Sequence, residues 1–101
     1  MNEHILQSYI DNITMHYGVS QEFIFSEGQK KERTEPRQLF FYLCHVKGIS
    51  IVIMQKFMSG FGFDMHHATI YQGVRRMQEK IEGDSDYNHL VERLMKVSVD
   101  V

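Results

Sequence analysis

The stretch DMHHATIYQGVRRM, residues 64–77, combines two histidines, a threonine and two arginines within a few helical turns. If Ile70, Val74 and Met77 face a core, polar and small side chains cover the opposite face. That face holds His66, His67, Ala68, Thr69, Gln72, Arg75 and Arg76. Such residues at the start of a helix suit the edges of bases in a DNA major groove. An amphipathic helix with an ordinary solvated face has the same pattern, so the spacing leaves both interpretations open.

Metal binding and catalysis find little support in the sequence. His66 and His67 are adjacent, so on a helix they point about 100° apart and do not converge on one ion as histidines four residues apart do. The other histidines are scattered without ligand spacing. No Ser-His-Asp arrangement, nucleophile elbow, phosphate-binding glycine loop or cofactor motif is present. We therefore predict a protein that is not an enzyme, with no catalytic residues, metal ligands, cofactor or small-molecule substrate.

Charge is distributed unevenly along the chain, although its net charge is only −2. Residues 1–28 contain four acids and no Lys or Arg, and residues 81–101 carry a net charge of −3. Residues 29–80 hold nine Lys and Arg against four Asp and Glu, a net charge of +5. A polyanion responds to this local distribution rather than to the total. Four of the bases lie close together: Lys30, Lys31, Arg33 and Arg37.

Apolar residues repeat at helical spacing in several segments, which indicates an all-α fold. The predicted helices are 3–17, SQEFIF after a Ser20 cap, a helix from a Thr34 cap to Gly48, IVIMQKFM after a Ser50 cap, about 66–83, and SDYNHLVERLMKV. Three β-branched residues in IVIMQKFM also suit a strand, but the length and the helical surroundings favour a helix. Pro36 suits the first turn of the helix capped by Thr34. We predict one compact domain over residues 1–101, a bundle of five to six helices.

The cysteine content and the lack of long apolar runs indicate a protein of a reducing compartment. The single cysteine, Cys44, lies among apolar neighbours and is expected to be a buried hydrophobe without a disulfide partner. No apolar run reaches the roughly 18 residues of a membrane-spanning helix, and the N-terminus lacks the basic-then-apolar order of a signal peptide. We therefore expect a cytoplasmic protein that does not bind a membrane.

Four short motifs follow one another along the chain: YGVS at 17–20, KKERTEPRQLFFYL at 30–43, GIS at 48–50 and HATIYQGVRRM at 67–77. Together they resemble the C-terminal DNA-binding domain of the bacterial chromosomal replication initiator DnaA. The resemblance covers about residues 8–96. It implies a Trp-repressor-like bundle that contains a helix-turn-helix. It also implies a basic loop at 30–37 and a recognition helix that starts near residue 66.

The resemblance implies a function in double-stranded DNA binding, of the sequence-specific, replication-origin kind found in that family, and with it a nucleoid-associated location. The four bases of the loop would contact phosphates, His66, His67, Thr69 and Gln72 would face bases beside Ala68, and Arg75 and Arg76 would reach the DNA backbone. Where the family signature has Asp, His and Thr, this chain has His66, His67 and Ala68. The sequence specificity is therefore predicted to differ from that of the initiator.

Glu35 is a second departure, because it matches the position from which an arginine of the family enters the minor groove. DNA would repel a carboxylate there. Together with the acidic ends of the chain, Glu35 motivates an alternative function: a protein-interaction module that keeps the fold but has lost sequence-specific DNA binding. Its partners would be replication or transcription proteins.

Overall fold

The structure, a computed structural model, describes residues 3–28 and 30–99, with side chains described up to residue 95. Six α-helices make up the fold: α1 Glu3–Tyr17, α2 Gln21–Ile24, α3 Lys31–Lys47, α4 Ile51–Ser59, α5 His67–Gly83 and α6 Ser85–Val99. The described residues form no strand, so the strand alternative for the IVIMQKFM segment is wrong. The predicted all-α bundle is confirmed. That residues 1–101 form a single domain stays a prediction.

Local capping explains where several of these helices begin and end. Ser20 accepts a hydrogen bond from the backbone N–H of Phe23 at 3.1 Å, and Ser50 accepts one from Ile53 at 3.3 Å. Both hydroxyls satisfy a backbone donor that has no partner within its helix. Gly48 ends α3 in the left-handed region, at φ 88°, where a side chain would be strained. The caps predicted at Ser20 and Ser50 are confirmed.

The helix α3 begins earlier than predicted. Thr34 does not cap it: Lys30 is the N-cap residue, and the backbone N–H of Thr34 already donates to the carbonyl of Lys30 at 3.0 Å. The segment 30–37 is therefore mostly helix, and the predicted basic loop there is wrong. Lys, Glu and Arg have high helix propensity, which favours an earlier start. Pro36 consequently lies in the second turn, buried and without the N–H that an interior position normally donates.

A hydrophobic core joins all six helices, with α3 at its centre. Its buried side chains are Leu6, Tyr9, Ile10 and Ile13 of α1, Ile24 of α2, Leu39, Phe40, Phe41, Leu43 and Cys44 of α3, Met54 and Met58 of α4, Ile70, Val74 and Met77 of α5, and Val91 and Leu94 of α6. Phe25 and Ile49 add to it from the connections. Cys44 is fully buried, as predicted, and burial raises the pKa of its thiol. The burial of these apolar side chains is the main force that holds the bundle together.

The connection between α4 and α5, residues 60–66, joins two helices that pack against each other. The side-chain amide of Gln55 donates to the carbonyl of Met65 at 3.0 Å, which ties the end of the connection to α4. Gly62 has φ 79°, a conformation that suits glycine in a tight turn. No helix in the described part of the chain is long and apolar enough to cross a membrane.

Candidate nucleic-acid interface

The residues predicted to face DNA from α5 lie together on its solvent side. Ile70, Val74 and Met77 are buried in the core, as predicted, which turns the opposite side of the helix outward. That side, here called the reading face, carries seven exposed residues: His66, His67, Ala68, Thr69, Gln72, Arg75 and Arg76. Most of them lie in the first three turns of α5, the part of a recognition helix that meets base edges in known helix-turn-helix proteins.

His66 has a structural task in addition to its exposure. It is the N-cap residue of α5, and its Nδ1 accepts a hydrogen bond from the backbone N–H of Ala68 at 3.2 Å. The ring lies 4.4 Å from that of His67, centroid to centroid. Only Nε2 of His66 therefore remains for an outside partner while the cap is formed. His67 stands on the first turn itself and is exposed.

A polar cleft of about 140 Å³ separates α3 from the reading face. Thr34 and Gln38 line it from α3, and Thr69, Gln72 and Arg76 line it from α5. The two helices approach closely below the cleft because Gly73 of α5 has no side chain: a Cβ there would lie 2.9 Å from Cδ2 of Phe41. Close packing of α3 against α5 thus brings the start of α3 beside the reading face.

Lys30 and Lys31, at the start of α3, are exposed. Lys31 lies 3.9 Å from a carboxylate oxygen of Glu35, but its side chain keeps 78% of its exposure. Arg33 is less available, since its guanidinium donates to the carbonyl of Glu27 and lies 4.9 Å from the ring centroid of Phe23. Lys30 and Lys31 are therefore the two predicted loop residues that the structure presents freely to solvent.

Arg37 lies inside the protein, unlike the other predicted phosphate contacts. It is only 5% exposed. Its Nε donates to the carbonyl of Ile24 at 2.9 Å, and an Nη donates to the carbonyl of Ser26 at 2.8 Å. The guanidinium also lies 5.0 Å from the ring centroid of Phe63, and burial lowers the pKa of this group. Arg37 therefore fastens the end of α2 and the α4–α5 connection to α3.

Glu35 points away from the reading face and into a polar network between helices. Its carboxylate accepts a hydrogen bond from the Tyr17 hydroxyl of α1 at 3.0 Å and one from Lys80 Nζ of α5, also at 3.0 Å. The Glu35 side chain keeps only 13% of its exposure. The placement of Glu35 in a loop is wrong, because α3 starts at Lys31 and Glu35 lies in that helix with its carboxylate in the network.

The pKa values of the network agree with this arrangement. Burial raises the pKa of Glu35, but hydrogen bonds from Tyr87, Lys80 and Tyr17 outweigh it and leave that pKa below its ordinary value. Burial, followed by the interaction with Glu35, raises the pKa of Tyr87 to about 12, and the pKa of Tyr17 is raised as well. At neutral pH the carboxylate is thus ionised beside two neutral hydroxyls and one ammonium.

Several residues that line the candidate site or stabilise the helices around it were not identified from the sequence. Thr34 and Gln38 line the cleft, and Lys80 neutralises Glu35. Thr34 and Gln38 are four residues apart and therefore lie on one face of a helix. A prediction that began α3 at Lys31 would have placed both of them on the same face of that helix. Nothing local indicates the pair of Lys80 and Glu35, which lie 45 residues apart in the chain.

The comparisons with known proteins find relatives among the DnaA proteins. Chromosomal replication initiator protein DnaA 1 of Chlamydia pneumoniae is 35% identical over 82 residues, which are 80% of this chain. DnaA 2 of Chlamydia caviae is 34% identical over 86 residues, or 83% of this chain. The predicted resemblance to the C-terminal domain of DnaA is confirmed. DnaA of Lachnoclostridium phytofermentans is 24% identical over 92 residues, or 90% of this chain.

The aligned region is a small part of each DnaA protein. It covers 17%, 18% and 19% of the three proteins named, so the chain spans less than a fifth of their length. No protein-family model matches the chain, and no solved structure matches it. The similarity to DnaA therefore rests on these sequence relatives together with the six-helix architecture.

Proposed function

We propose that this chain is a DNA-binding domain related to that of DnaA, and that it binds duplex DNA through the reading face of α5. The observation that carries the proposal is the exposure of all seven residues predicted to face DNA, six in α5 and His66 at its N-cap. In the proposed arrangement α4 and α5 are the two helices of a helix-turn-helix, and α5 is the one that enters the groove. The names of the relatives describe replication initiators, so origin-like duplexes are the first candidates. Such a role is not catalytic and belongs at the nucleoid.

Four exposed bases supply the proposed phosphate contacts: Lys30 and Lys31 at the start of α3, and Arg75 and Arg76 on α5. Arg33 and Arg37 are left out, because their guanidinium groups are engaged within the protein. Four cationic contacts correspond to a log–log dependence of the binding constant on salt with a slope of about −3.6. Base edges would be read by His67, Thr69 and Gln72, whose donors and acceptors suit adenine or thymine.

Specificity different from that of the initiator follows from the first turn of α5. His66 and Ala68 stand where the resemblance implies Asp and Thr, and one nitrogen of His66 is used by the helix cap. Both changes alter the hydrogen-bonding groups that a base would meet. The alternative, a protein-interaction module, loses one of its supports, because Lys80 neutralises Glu35 away from the reading face.

Selection from a random duplex pool, followed by fluorescence anisotropy on the selected and a scrambled duplex, tests the proposal. Thr69→Ala and His67→Ala should weaken binding to the selected duplex by roughly 1–3 kcal/mol and leave scrambled-duplex binding in place. Both residues are exposed, so melting temperatures should hardly change. Absence of a shift at micromolar protein and low salt, or a binding constant that does not depend on salt, would favour the protein-interaction module instead.

The double variant Lys30→Ala, Lys31→Ala addresses the start of α3 separately. It should weaken binding to both duplexes alike and reduce the magnitude of the salt slope by about two, because phosphate contacts carry no sequence information. Glu32→Ala, on the same exposed turn, is the control of opposite charge and should not weaken binding. A loss confined to the selected duplex would show that the lysines do not act through phosphates.

A further inference from the structure

The side of α5 that faces away from α3 carries an exposed aromatic residue, Tyr71. Its side chain is 51% exposed, and it is the large hydrophobic on α5 that the core does not cover. Gly73 marks the side of α5 that packs on α3. Tyr71 precedes Gly73 by two residues, about 200° around the helix, so it points nearly opposite to α3.

The neighbours of Tyr71 place it at an edge of the reading face. His67 and Arg75 each lie four residues from Tyr71, so all three form one stripe along the helix. Ala68, three residues before Tyr71, carries only a methyl group and leaves room beside the ring. Tyr71 therefore borders the residues proposed to read bases without belonging to the core or to the contact with α3.

A helix in the major groove has a phosphate strand on each side. The groove is about 12 Å wide and a helix with its side chains is about 10–12 Å across, so both flanks of the reading face approach phosphates. The flank towards α3 has Lys30, Lys31 and Arg76. The opposite flank has Arg75 and Tyr71, and a phenol hydroxyl is a good donor to a phosphate oxygen.

We propose that Tyr71 is a further DNA contact, whose hydroxyl donates to a phosphate on the strand away from α3. The inference rests on the proposed function. Tyr71 would increase the affinity of the domain for DNA and help to orient it on the duplex. It would not contribute to sequence preference, because a phosphate is the same at every base pair. The contact carries no formal charge, which separates its effect from that of Arg75 on the same flank.

Tyr71→Phe tests the inference, because it removes the hydroxyl and keeps the ring. Binding should fall roughly tenfold, equally on selected and scrambled duplexes, and the salt slope should stay unchanged because no counterion release is lost. In ethylation interference, ethylation of one phosphate should inhibit binding of wild type but not of Tyr71→Phe. That phosphate should lie on the strand whose interference pattern the variant Lys30→Ala, Lys31→Ala does not change. Met15→Ala, which removes an exposed apolar side chain of α1, is the control and should bind as wild type does.

Three outcomes would overturn the inference. Wild-type affinity and an unchanged interference pattern in Tyr71→Phe would mean that Tyr71 is a solvated tyrosine only. A change in sequence preference would mean that the ring contacts a base and not a phosphate. If the wild-type chain binds no duplex at all, both the proposed function and this contact are wrong. If wild type binds and Tyr71→Phe has no effect, only the inference about Tyr71 is wrong and the proposed function is unaffected. Equal melting temperatures of variant and wild type exclude unfolding as the cause of lost binding.

Discussion

Glu35→Ala should destabilise the fold, because it removes the acceptor on which three helices converge. Glu35 accepts hydrogen bonds from Tyr17 of α1 and Lys80 of α5, each at 3.0 Å, and belongs itself to α3. Its loss leaves the hydroxyls of Tyr17 and Tyr87 without that acceptor and the Lys80 ammonium without its counter-ion. The helices concerned also hold the reading face against the start of α3, so the network supports the proposed interface indirectly.

The size of the effect follows from the burial of each partner. A hydrogen bond to a charged group contributes about 1.5–3 kcal/mol when it is shielded from water, as the bond from Tyr17 is. The Lys80 side chain keeps 37% of its exposure, so its ion pair is discounted to about 1 kcal/mol. We expect the free energy of unfolding to fall by about 2–4 kcal/mol. At about 4–8 °C per kcal/mol for a domain of this size, the melting temperature should fall by at least about 8 °C.

Thermal unfolding followed by circular dichroism at neutral pH is the assay. Glu35→Gln should lose less than Glu35→Ala, because its amide oxygen still accepts from Tyr17. Glu32→Ala, on the solvent side of the same helix, should shift the free energy of unfolding by only about 0.5 kcal/mol. The reasoning is wrong if Glu35→Ala melts within about 2 °C of wild type. It is also wrong if Glu35→Arg keeps its stability and binds A·T-rich duplex more tightly, since that result would place residue 35 at the DNA.

Four further predictions concern pH and packing. Because the pKa of Glu35 is lowered in the folded protein, its stabilisation is present above the ordinary value of 4.5 and is lost as the pH falls through the folded value, so acid should narrow the stability difference between wild type and Glu35→Gln. The pKa of Tyr87 is raised to about 12, so its contribution is full below pH 10 and is lost as the pH rises further, and Tyr87→Phe should reduce this alkaline loss in denaturant titrations. The Tyr9 hydroxyl is buried without a hydrogen-bond partner among the described residues, so Tyr9→Phe should raise the melting temperature by about 4–8 °C, and a fall would show that the hydroxyl is satisfied. Gly73→Ala should lower the melting temperature because its Cβ would lie 2.9 Å from a ring carbon of α3, whereas Gly83→Ala in the same helix meets nothing within 4 Å and should not; equal melting temperatures would contradict the close packing.

The helices themselves could be predicted because the signals are local. The spacing of apolar residues in α1 and α5, the serine caps of α2 and α4 and the glycine that ends α3 each act within a few residues. The exception, the start of α3, also has a local cause. Proline prefers the first turn of a helix, which predicts a start close to Pro36. The high helix propensity of Lys31, Glu32 and Arg33 instead extends α3 about one turn before it.

In the candidate site, too, the features with local signals could be predicted and those that depend on tertiary contacts could not. The outward side of α5 follows from its buried side, so its exposed residues could be listed from periodicity alone. The partners of Arg33 and Arg37 could not be predicted in this way. Both side chains donate to backbone carbonyls of residues 24–27, which come within reach only when α2 packs on α3. A side chain in a charged run is equally able to face solvent or to satisfy backbone carbonyls of another element.

The fold also redistributes the charge that the sequence presents. The ion pair of Glu35 with Lys80 does not change the net charge of residues 29–80, because the two charges cancel. The turning inward of Arg37 and the engagement of Arg33 do reduce the positive surface. The exposed bases that are proposed to contact a duplex lie at the start of α3 and on α5, on both sides of the cleft. A polyanion would therefore meet a compact basic surface rather than a long basic loop, and the modest salt slope expected for four contacts is the measurable consequence.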